Sequence, residues 1–183
     1  MPSPLTRDHM THDSLVNGWL MQYAARTPGS QAGTAGTWLM LEDAPQPDAI
    51  LRILPDHGGQ SWDEEKYCAG APELAVEVSL SSSSYDLGPK MRLYRTAGVK
   101  EYLIVLLSET KVVWYRPVDG KYAPLEPGAD GLLRSVVFPG LWLDPDALIT
   151  QDGAHLLKVL DLGLRSPEHK GFVRALAQRR SRS

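Results

Sequence analysis

Apolar and polar residues alternate most regularly over residues 74–80, whose sequence is LAVEVSL. Successive side chains of an extended strand point to opposite sides, so this pattern predicts a β-strand. One face carries four aliphatic residues, namely Leu74, Val76, Val78 and Leu80. The other face carries Ala75, Glu77 and Ser79, which places a carboxylate between two small residues. We therefore expect open space beside Glu77.

Helical spacing appears on both sides of this strand. A four-residue repeat of Leu15, Trp19 and Tyr23 predicts a first helix over residues 13–25, with Asp13 or Thr11 as its N-cap. A second helix is predicted over residues 86–97, with Pro89 in its first turn and Gly98 just past its end. A last helix is expected from about residue 152 or 154 to residue 162, followed by Gly163, and residues 167–178 allow a further helix.

Other short β-type runs complete the pattern. They predict strands over residues 37–41, 49–54, 101–107 and 111–116, and the tight link between the last two makes that pair antiparallel. Residues 27–37, 55–72 and 81–84 are predicted to be loops or turns because Gly, Pro and polar residues are frequent there. The pattern predicts a single α/β domain in which helices flank a mixed central β-sheet.

Length and composition agree with one globular domain. The chain has 183 residues, of which 43% are hydrophobic and 22% are charged. We expect a flexible lead-in over residues 1–10, a folded domain over 11–165 and a basic C-terminal tail over 166–183. No apolar run approaches the roughly 20 residues that cross a bilayer, and no secretory signal is recognisable. The single cysteine, Cys68, precludes an internal disulfide, so a cytoplasmic protein without a membrane partner is expected.

The net charge of −3 excludes a protein that coats nucleic acid through charge alone, although it allows a local basic groove. Basic residues gather after Glu168, at Lys170, Arg174, Arg179, Arg180 and Arg182. The pattern favours a solvated helix end over a binding surface.

Candidate chemistry centres on Asp48, Glu77 and Lys90. Asp48 begins one predicted strand, Glu77 lies within another, and Lys90 starts the next helix. If the two strands are neighbours, the carboxylates converge, and a divalent cation would relieve their repulsion. An all-oxygen site suits Mg²⁺ or Mn²⁺ better than Zn²⁺. Such a metal, with a lysine that orients water or stabilises charge, is the minimal equipment of a metal-dependent phosphodiesterase.

Each of these residues also has a structural interpretation. Asp48 follows a proline and could cap a turn. Glu77 could pair with Lys90 without a metal, and Lys90 could be an ordinary solvated helix lysine. Among other candidates, His57 beside Asp56 is more typical of a polar loop. Trp62, in a polar loop, is a candidate for contact with a partner.

Several segments in order resemble one family. They are Pro47-Asp48, PELAVEVS from residue 72, YDLGPKMRLYRTAGVKEYLIV from residue 85, and the late FPGLWLDPDAL. Over roughly residues 12–150 the chain resembles the Uma-two family of restriction endonucleases, within the PD-(D/E)XK nuclease superfamily. The resemblance implies a restriction-endonuclease-like fold and a nuclease that uses Mg²⁺ or Mn²⁺.

The resemblance also implies roles for individual residues. Asp48 and Glu77 would bind the metal, and Val78 would add its backbone carbonyl. The lysine of the usual motif would fall at position 79, where this chain has Ser79, and Lys90 on the following helix would replace it. Asp86 and Tyr94 match family positions without an assigned role.

Two departures stand out. Many superfamily members contribute an acid from the first helix, whereas here the only acid expected in that helix is Asp13, at its very start. The family tends to have an acid after the strand at residues 101–105, where this chain has Leu106.

The leading hypothesis is a divalent-metal-dependent endonuclease that hydrolyses DNA phosphodiester bonds. A homodimer would supply two active sites for the two strands of a duplex. One rival is a catalytically idle relative that binds a protein or nucleic acid. The other is a phosphoesterase that acts on RNA or a branched structure.

Overall fold

The computed structural model describes residues 6–80 and 86–180. A six-stranded sheet forms its centre. In spatial order its strands are β1 (Ser30–Thr34), β3 (Ala49–Ile53), β6 (Leu74–Ser79), β7 (Glu101–Leu106), β8 (Lys111–Val118) and β9 (Lys121–Pro124). Strands β6 and β7 are parallel, and the other neighbours in this sheet are antiparallel. The predicted mixed α/β architecture is confirmed.

Helices and two small sheets surround the central sheet. One small sheet contains β2 (Trp38–Leu39), β5 (Tyr67–Ala69) and β4 (Trp62–Glu64), and the other pairs β10 (Leu133–Arg134) with β11 (Trp142–Leu143). The helices are α1 (Arg7–Ala24), α2 (Met91–Ala97), α3 (Pro145–Ile149), α4 (Gly153–Leu164) and α5 (Pro167–Arg180). A π-helical turn (Asp86–Lys90) leads into α2, and 3₁₀ turns cover Pro55–His57 and Leu107–Glu109. No helix within residues 6–80 and 86–180 has the length and apolar character needed to cross a membrane.

Strand β6 separates two hydrophobic clusters, as its alternation predicts. Leu74, Val76 and Val78 pack on one face with α1 and α4, whereas Ala75 packs on the other face with α2. The expected open space beside Glu77 is absent, because this residue is only 2% exposed. Aromatic residues of α2 and the neighbouring strands fill that side of the sheet.

The connection from β6 to β7 positions a helix over the second face. Parallel neighbours cannot be joined by a tight hairpin, so the chain must cross the sheet before it returns. Helix α2 makes this crossing and ends at Gly98, which adopts the left-handed conformation (φ 95°) expected of a helix C-cap. The predicted helix over residues 86–97 is confirmed, although Pro89 lies in the π-helical turn and regular α-helix begins at Met91.

The first and last predicted helix boundaries are wrong. Helix α1 begins at Arg7 because the Thr6 side chain caps it by accepting from the His9 amide, so residues 7–10 of the expected lead-in are helical. Gly163 lies inside α4 rather than beyond it. Its lack of a side chain permits close packing, since an added Cβ would stand 2.2 Å from the carbonyl oxygen of Gly140.

Two segments predicted as irregular contain regular structure. Strand β1 lies within residues 27–37 and pairs along its whole length with β3. Strands β4 and β5 lie within residues 55–72. By contrast, the further helix allowed over residues 167–178 is present as α5, which buries His169 and Leu176, so the basic segment packs against the domain. The predicted turn at residues 81–84 and Arg182 lie outside the described residues.

Candidate active site

Asp48 stands where β3 begins, beside the C-terminal half of β6. The antiparallel register pairs Ala49 with Val76, so Asp48 precedes the first paired residue. Its Oδ2 atom accepts a hydrogen bond of 2.7 Å from the backbone N–H of Val78. The two strands are therefore neighbours, as the convergence of Asp48 and Glu77 requires.

Glu77 projects from the middle of β6 into contact with helix α2 and the turn before it. Its Oε2 atom accepts from the Lys90 ammonium at 2.7 Å, and its Oε1 atom accepts from the Tyr94 hydroxyl at 2.6 Å. Lys90 and Tyr94 are four residues apart, one helical turn, so both reach the same carboxylate. Glu77 and Tyr94 are buried, whereas the Lys90 side chain is 24% exposed.

Burial raises the pKa of Glu77 to about 7. The Lys90 ammonium opposes this effect, while the negative charge of Asp48 adds to it. Near neutral pH the carboxyl therefore stands close to the point where it gains or loses a proton. A cation placed between Asp48 and Glu77 would favour the ionised form of both.

Helix α1 brings Asp13 toward the same group. The expectation that Asp13 is the only acid of this helix, at its very start, is wrong because the helix begins at Arg7 and includes Asp8. Burial and the charge of Asp48 both raise the pKa of Asp13, which indicates that the two carboxylates are near each other. The Asp13 Oδ1 atom is buried and has no hydrogen-bond partner among the described residues.

These side chains have the chemistry of a hard-cation site. Carboxylate oxygens are the ligands that Mg²⁺ and Mn²⁺ prefer, and an oxygen that accepts one hydrogen bond keeps a lone pair for a metal. Asp48 and Glu77 therefore fit a divalent cation, and the unpartnered oxygen of Asp13 agrees with one. Within the described residues, however, no three His, Cys, Asp or Glu side chains are close enough together to form a complete ligand set.

The remaining candidates lie elsewhere or carry no charge. His57 is buried in a 3₁₀ turn at the opposite end of β3 from Asp48, and its Nδ1 atom lies 2.8 Å from Asp56. Ser79 offers no ammonium group. Trp62 is half exposed on β4, where its role as a partner contact stays a prediction. The role of the Val78 carbonyl also stays a prediction.

Sequence reasoning missed the part that Tyr94 and Asp13 play in this group. The resemblance matches Tyr94 without a role, although its spacing of one helical turn from Lys90 is compatible with a shared partner. Asp13 lies 35 residues from Asp48 along the chain, and no local pattern links the two.

A mixed sheet with flanking helices and a carboxylate–lysine group beside its central strands defines a nuclease-like α/β fold. The crystal structure of "a putative nuclease belonging to DUF820" from Anabaena variabilis ATCC 29413 has this fold, with a TM-score of 0.60. The match covers 81% of this chain and 84% of that chain at 17% identity, so the likeness concerns the fold. The chain belongs to the Uma2 family, described as putative restriction endonucleases, whose model matches residues 1–146. The resemblance stated from the sequence is confirmed.

A curated relative carries a different description. It is the "Putative [ribosomal protein bS18]-alanine N-acetyltransferase" of Bacillus subtilis (strain 168), 27% identical over 106 residues. The match covers 54% of this chain and 66% of the relative, so the chain spans just under two thirds of that protein. The description belongs to the relative alone.

Proposed function

We propose that this protein is a divalent-metal-dependent endonuclease that hydrolyses DNA phosphodiester bonds in the cytoplasm. Asp48 and Glu77 hold Mg²⁺ or Mn²⁺, Val78 adds its carbonyl oxygen, and Lys90 assists the attacking water. The observation that carries the proposal is the group of side chains at β6. The Glu77 carboxylate accepts from the Lys90 ammonium at 2.7 Å, and the Asp48 carboxylate accepts from the backbone N–H of Val78, the residue after Glu77, at 2.7 Å. Membership of the Uma2 family supports the nuclease class.

The charge and position of each residue suit it to a different role in the proposed reaction. A bound Mg²⁺ or Mn²⁺ would lower the pKa of a water molecule and stabilise negative charge on the phosphate. The Lys90 side chain is partly exposed, so its ammonium can orient water or approach the phosphate while it remains beside Glu77. Tyr94 and the Val78 N–H fix the two carboxylates before substrate arrives, which limits reorganisation during reaction.

Cleavage of both strands of a duplex would require two such sites. A homodimer would supply them, related by two-fold symmetry. The proposal therefore includes DNA as the substrate and a second copy of the chain as a partner. The exposed fraction of Lys90 marks the side from which a phosphate would reach the site.

A second candidate is a nuclease-fold domain that binds a partner without catalysis. Both oxygens of Glu77 already have donors, so Glu77 and Lys90 form a satisfied buried pair without a metal. This candidate predicts no cleavage and no metal binding at Asp48 and Glu77.

The experiment that separates the candidates combines titration calorimetry with cleavage assays. Mg²⁺ and Mn²⁺ are titrated into wild type, Asp48→Asn, Glu77→Gln and Glu126→Gln, an exposed acid between β9 and β10 that serves as the control. Supercoiled plasmid, single-stranded DNA and RNA are the substrates. The endonuclease proposal predicts that binding and DNA cleavage are lost in the first two variants and retained in the control. Equal metal binding by all four proteins, with no cleavage of any substrate, would instead support the binding domain.

A further inference from the structure

A cavity of about 350 Å³ lies on the α2 face of the sheet, between β1 and the small sheet of β2, β4 and β5. Its volume is within the roughly 300–1,000 Å³ typical of small-ligand pockets. Apolar side chains form most of the wall, and two glycines leave room beside them. The wall includes Gly33, Gly36, Trp38, Pro47, Ile50 and Tyr67.

The cavity lies next to Asp48 of the proposed catalytic group. Pro47 lines it and is bonded directly to Asp48. Thr34 also lines it, and its hydroxyl donates to the backbone carbonyl of Asp48 at 3.1 Å. Ile50 lies on the same face of the sheet as Glu77, one strand away. With strands spaced about 4.8 Å apart, the cavity lies roughly 10 Å from Glu77, a separation of one or two nucleotides along a strand.

The charge of the lining selects one kind of ligand. Among the described residues that line the cavity, Lys66 is the only charged one, and its ammonium stands 5.3 Å from the ring centre of Tyr67. The Trp38 ring is held in place, because its indole N–H donates to the Gly70 carbonyl at 2.6 Å. A fixed aromatic wall suits a flat ring, and the Lys66 ammonium at its border suits a phosphate. A nucleotide combines both features.

We propose that this cavity binds one nucleobase of the strand whose phosphate lies at Asp48 and Glu77, with Lys66 near the phosphate of that nucleotide. The inference rests on the proposed function in one respect, namely that the nuclease site holds the DNA strand whose base enters the cavity. It adds a substrate requirement, because a base can enter the cavity only when it is unpaired.

The test measures nucleotide binding without cleavage. The four deoxynucleoside 5′-monophosphates are titrated into the full chain in EDTA, with deoxyribose 5-phosphate as the probe that lacks a base. Gly36→Leu fills the cavity, since a Cβ at Gly36 would meet only the Thr34 carbonyl oxygen at 3.8 Å. Gly171→Leu is the matched control in α5, where a Cβ would meet nothing within 4 Å.

The inference predicts binding of at least one nucleotide and none of deoxyribose 5-phosphate. Gly36→Leu should weaken nucleotide binding at least tenfold, Lys66→Gln about fivefold, and Gly171→Leu less than twofold. If Gly36→Leu does not fold, the inference is tested by comparing nucleotide binding by Lys66→Gln with nucleotide binding by Gly171→Leu. Equal binding of nucleotide and sugar phosphate, or no nucleotide binding by wild type, would overturn the inference.

The two proposals fail separately. Suppose that wild type cleaves DNA but binds no nucleotide, and that Gly36→Leu cleaves equally well. This result would contradict the proposed base-binding cavity and leave the endonuclease proposal standing. Suppose instead that wild type binds a nucleotide but cleaves nothing, and that Gly36→Leu loses this binding. This result would support the base-binding cavity and contradict the endonuclease proposal.

Discussion

Two buried glutamates on adjacent strands, Glu77 of β6 and Glu101 of β7, differ in what surrounds them. Burial raises the pKa of each to about 7. Glu77 accepts from the Lys90 ammonium and the Tyr94 hydroxyl. Glu101 accepts from the Ser135 hydroxyl at 2.6 Å and from the backbone N–H groups of residues 136 and 137 at 2.7 and 3.3 Å. A raised pKa therefore does not distinguish the two glutamates, whereas their partners do.

The partners indicate different purposes. Glu101 holds a loop against the sheet with neutral donors, as a structural acceptor does. Glu77 stands beside one cation and near another carboxylate, Asp48, an arrangement that costs stability unless a further ligand relieves it. This difference supports the proposal that Glu77 takes part in the chemistry while Glu101 is structural, and substitutions can test it.

The largest effect is expected when Glu77 loses its charge. Glu77→Gln keeps the size of the side chain and an oxygen acceptor, but it weakens the bond to a metal. Metal ions supply several kcal/mol of transition-state stabilisation, so DNA cleavage should fall about a thousandfold. Plasmid cleavage under single-turnover conditions measures the change. Glu101→Gln is the control, which should cleave within about threefold of wild type; equal losses in both variants would contradict the comparison.

The next effect concerns stability at Glu101. Glu101→Ala leaves the buried Ser135 hydroxyl and the Val136 N–H without their acceptor, whereas the Val137 N–H keeps Ser135 Oγ. The free energy of unfolding should therefore fall by about 3 kcal/mol. Urea denaturation measures it. Glu77→Ala should cost less, because it also removes repulsion with Asp48. If Glu77→Ala proves as costly as Glu101→Ala, Glu77 is as structural as its neighbour.

Sequence alone predicted the centre of the fold better than its borders. The alternation at residues 74–80 predicts both faces of β6, because a strand packed on two sides must match its side chains to each. Strand β1 was missed because its Gly- and Thr-containing sequence has little strand character of its own, and its pairing with β3 stabilises it.

The candidate site is likewise predictable from the sequence only in part. Asp48, Glu77 and Lys90 follow from local patterns and from the family resemblance. The proximity of Asp13 to Asp48 and the loop partners of Glu101 both involve residues about 35 positions apart. Such pairs depend on how helices and loops pack on the sheet, which no local pattern records.

A smaller effect should appear as a pH dependence of stability. Glu101 has a folded-state pKa of about 7, against an ordinary value of 4.5. Between these values the folded protein keeps a proton that the unfolded chain releases, so the free energy of unfolding falls as pH rises from about 4.5 to about 7. Glu101→Gln should reduce this fall, because glutamine has no carboxyl group to titrate.

Adding Mg²⁺ separates the contributions of Glu77 and Glu101, because only Glu77 is a proposed metal ligand. At pH 7 the cation should raise the melting temperature of wild type and of Glu101→Gln, and leave Glu77→Gln unchanged. Thermal melts across pH, with and without Mg²⁺, provide the data. A pH profile that is identical in wild type and Glu101→Gln would remove Glu101 as its source.

The smallest effect tests whether Tyr94 positions Glu77. Tyr94→Phe removes a hydrogen bond of 2.6 Å that lowers the pKa of Glu77, so that pKa should rise and the acidic limb of the cleavage profile should move to higher pH. The loss of one hydrogen bond, about 1 kcal/mol, should slow cleavage roughly fivefold. Tyr122→Phe is the matched control, since it removes a bond of 2.7 Å to the Val99 carbonyl. Equal destabilisation of both variants, with a shifted pH profile only in Tyr94→Phe, would show that the Tyr94 hydroxyl acts through Glu77. The same profile in both variants would reduce Tyr94 to a packing residue.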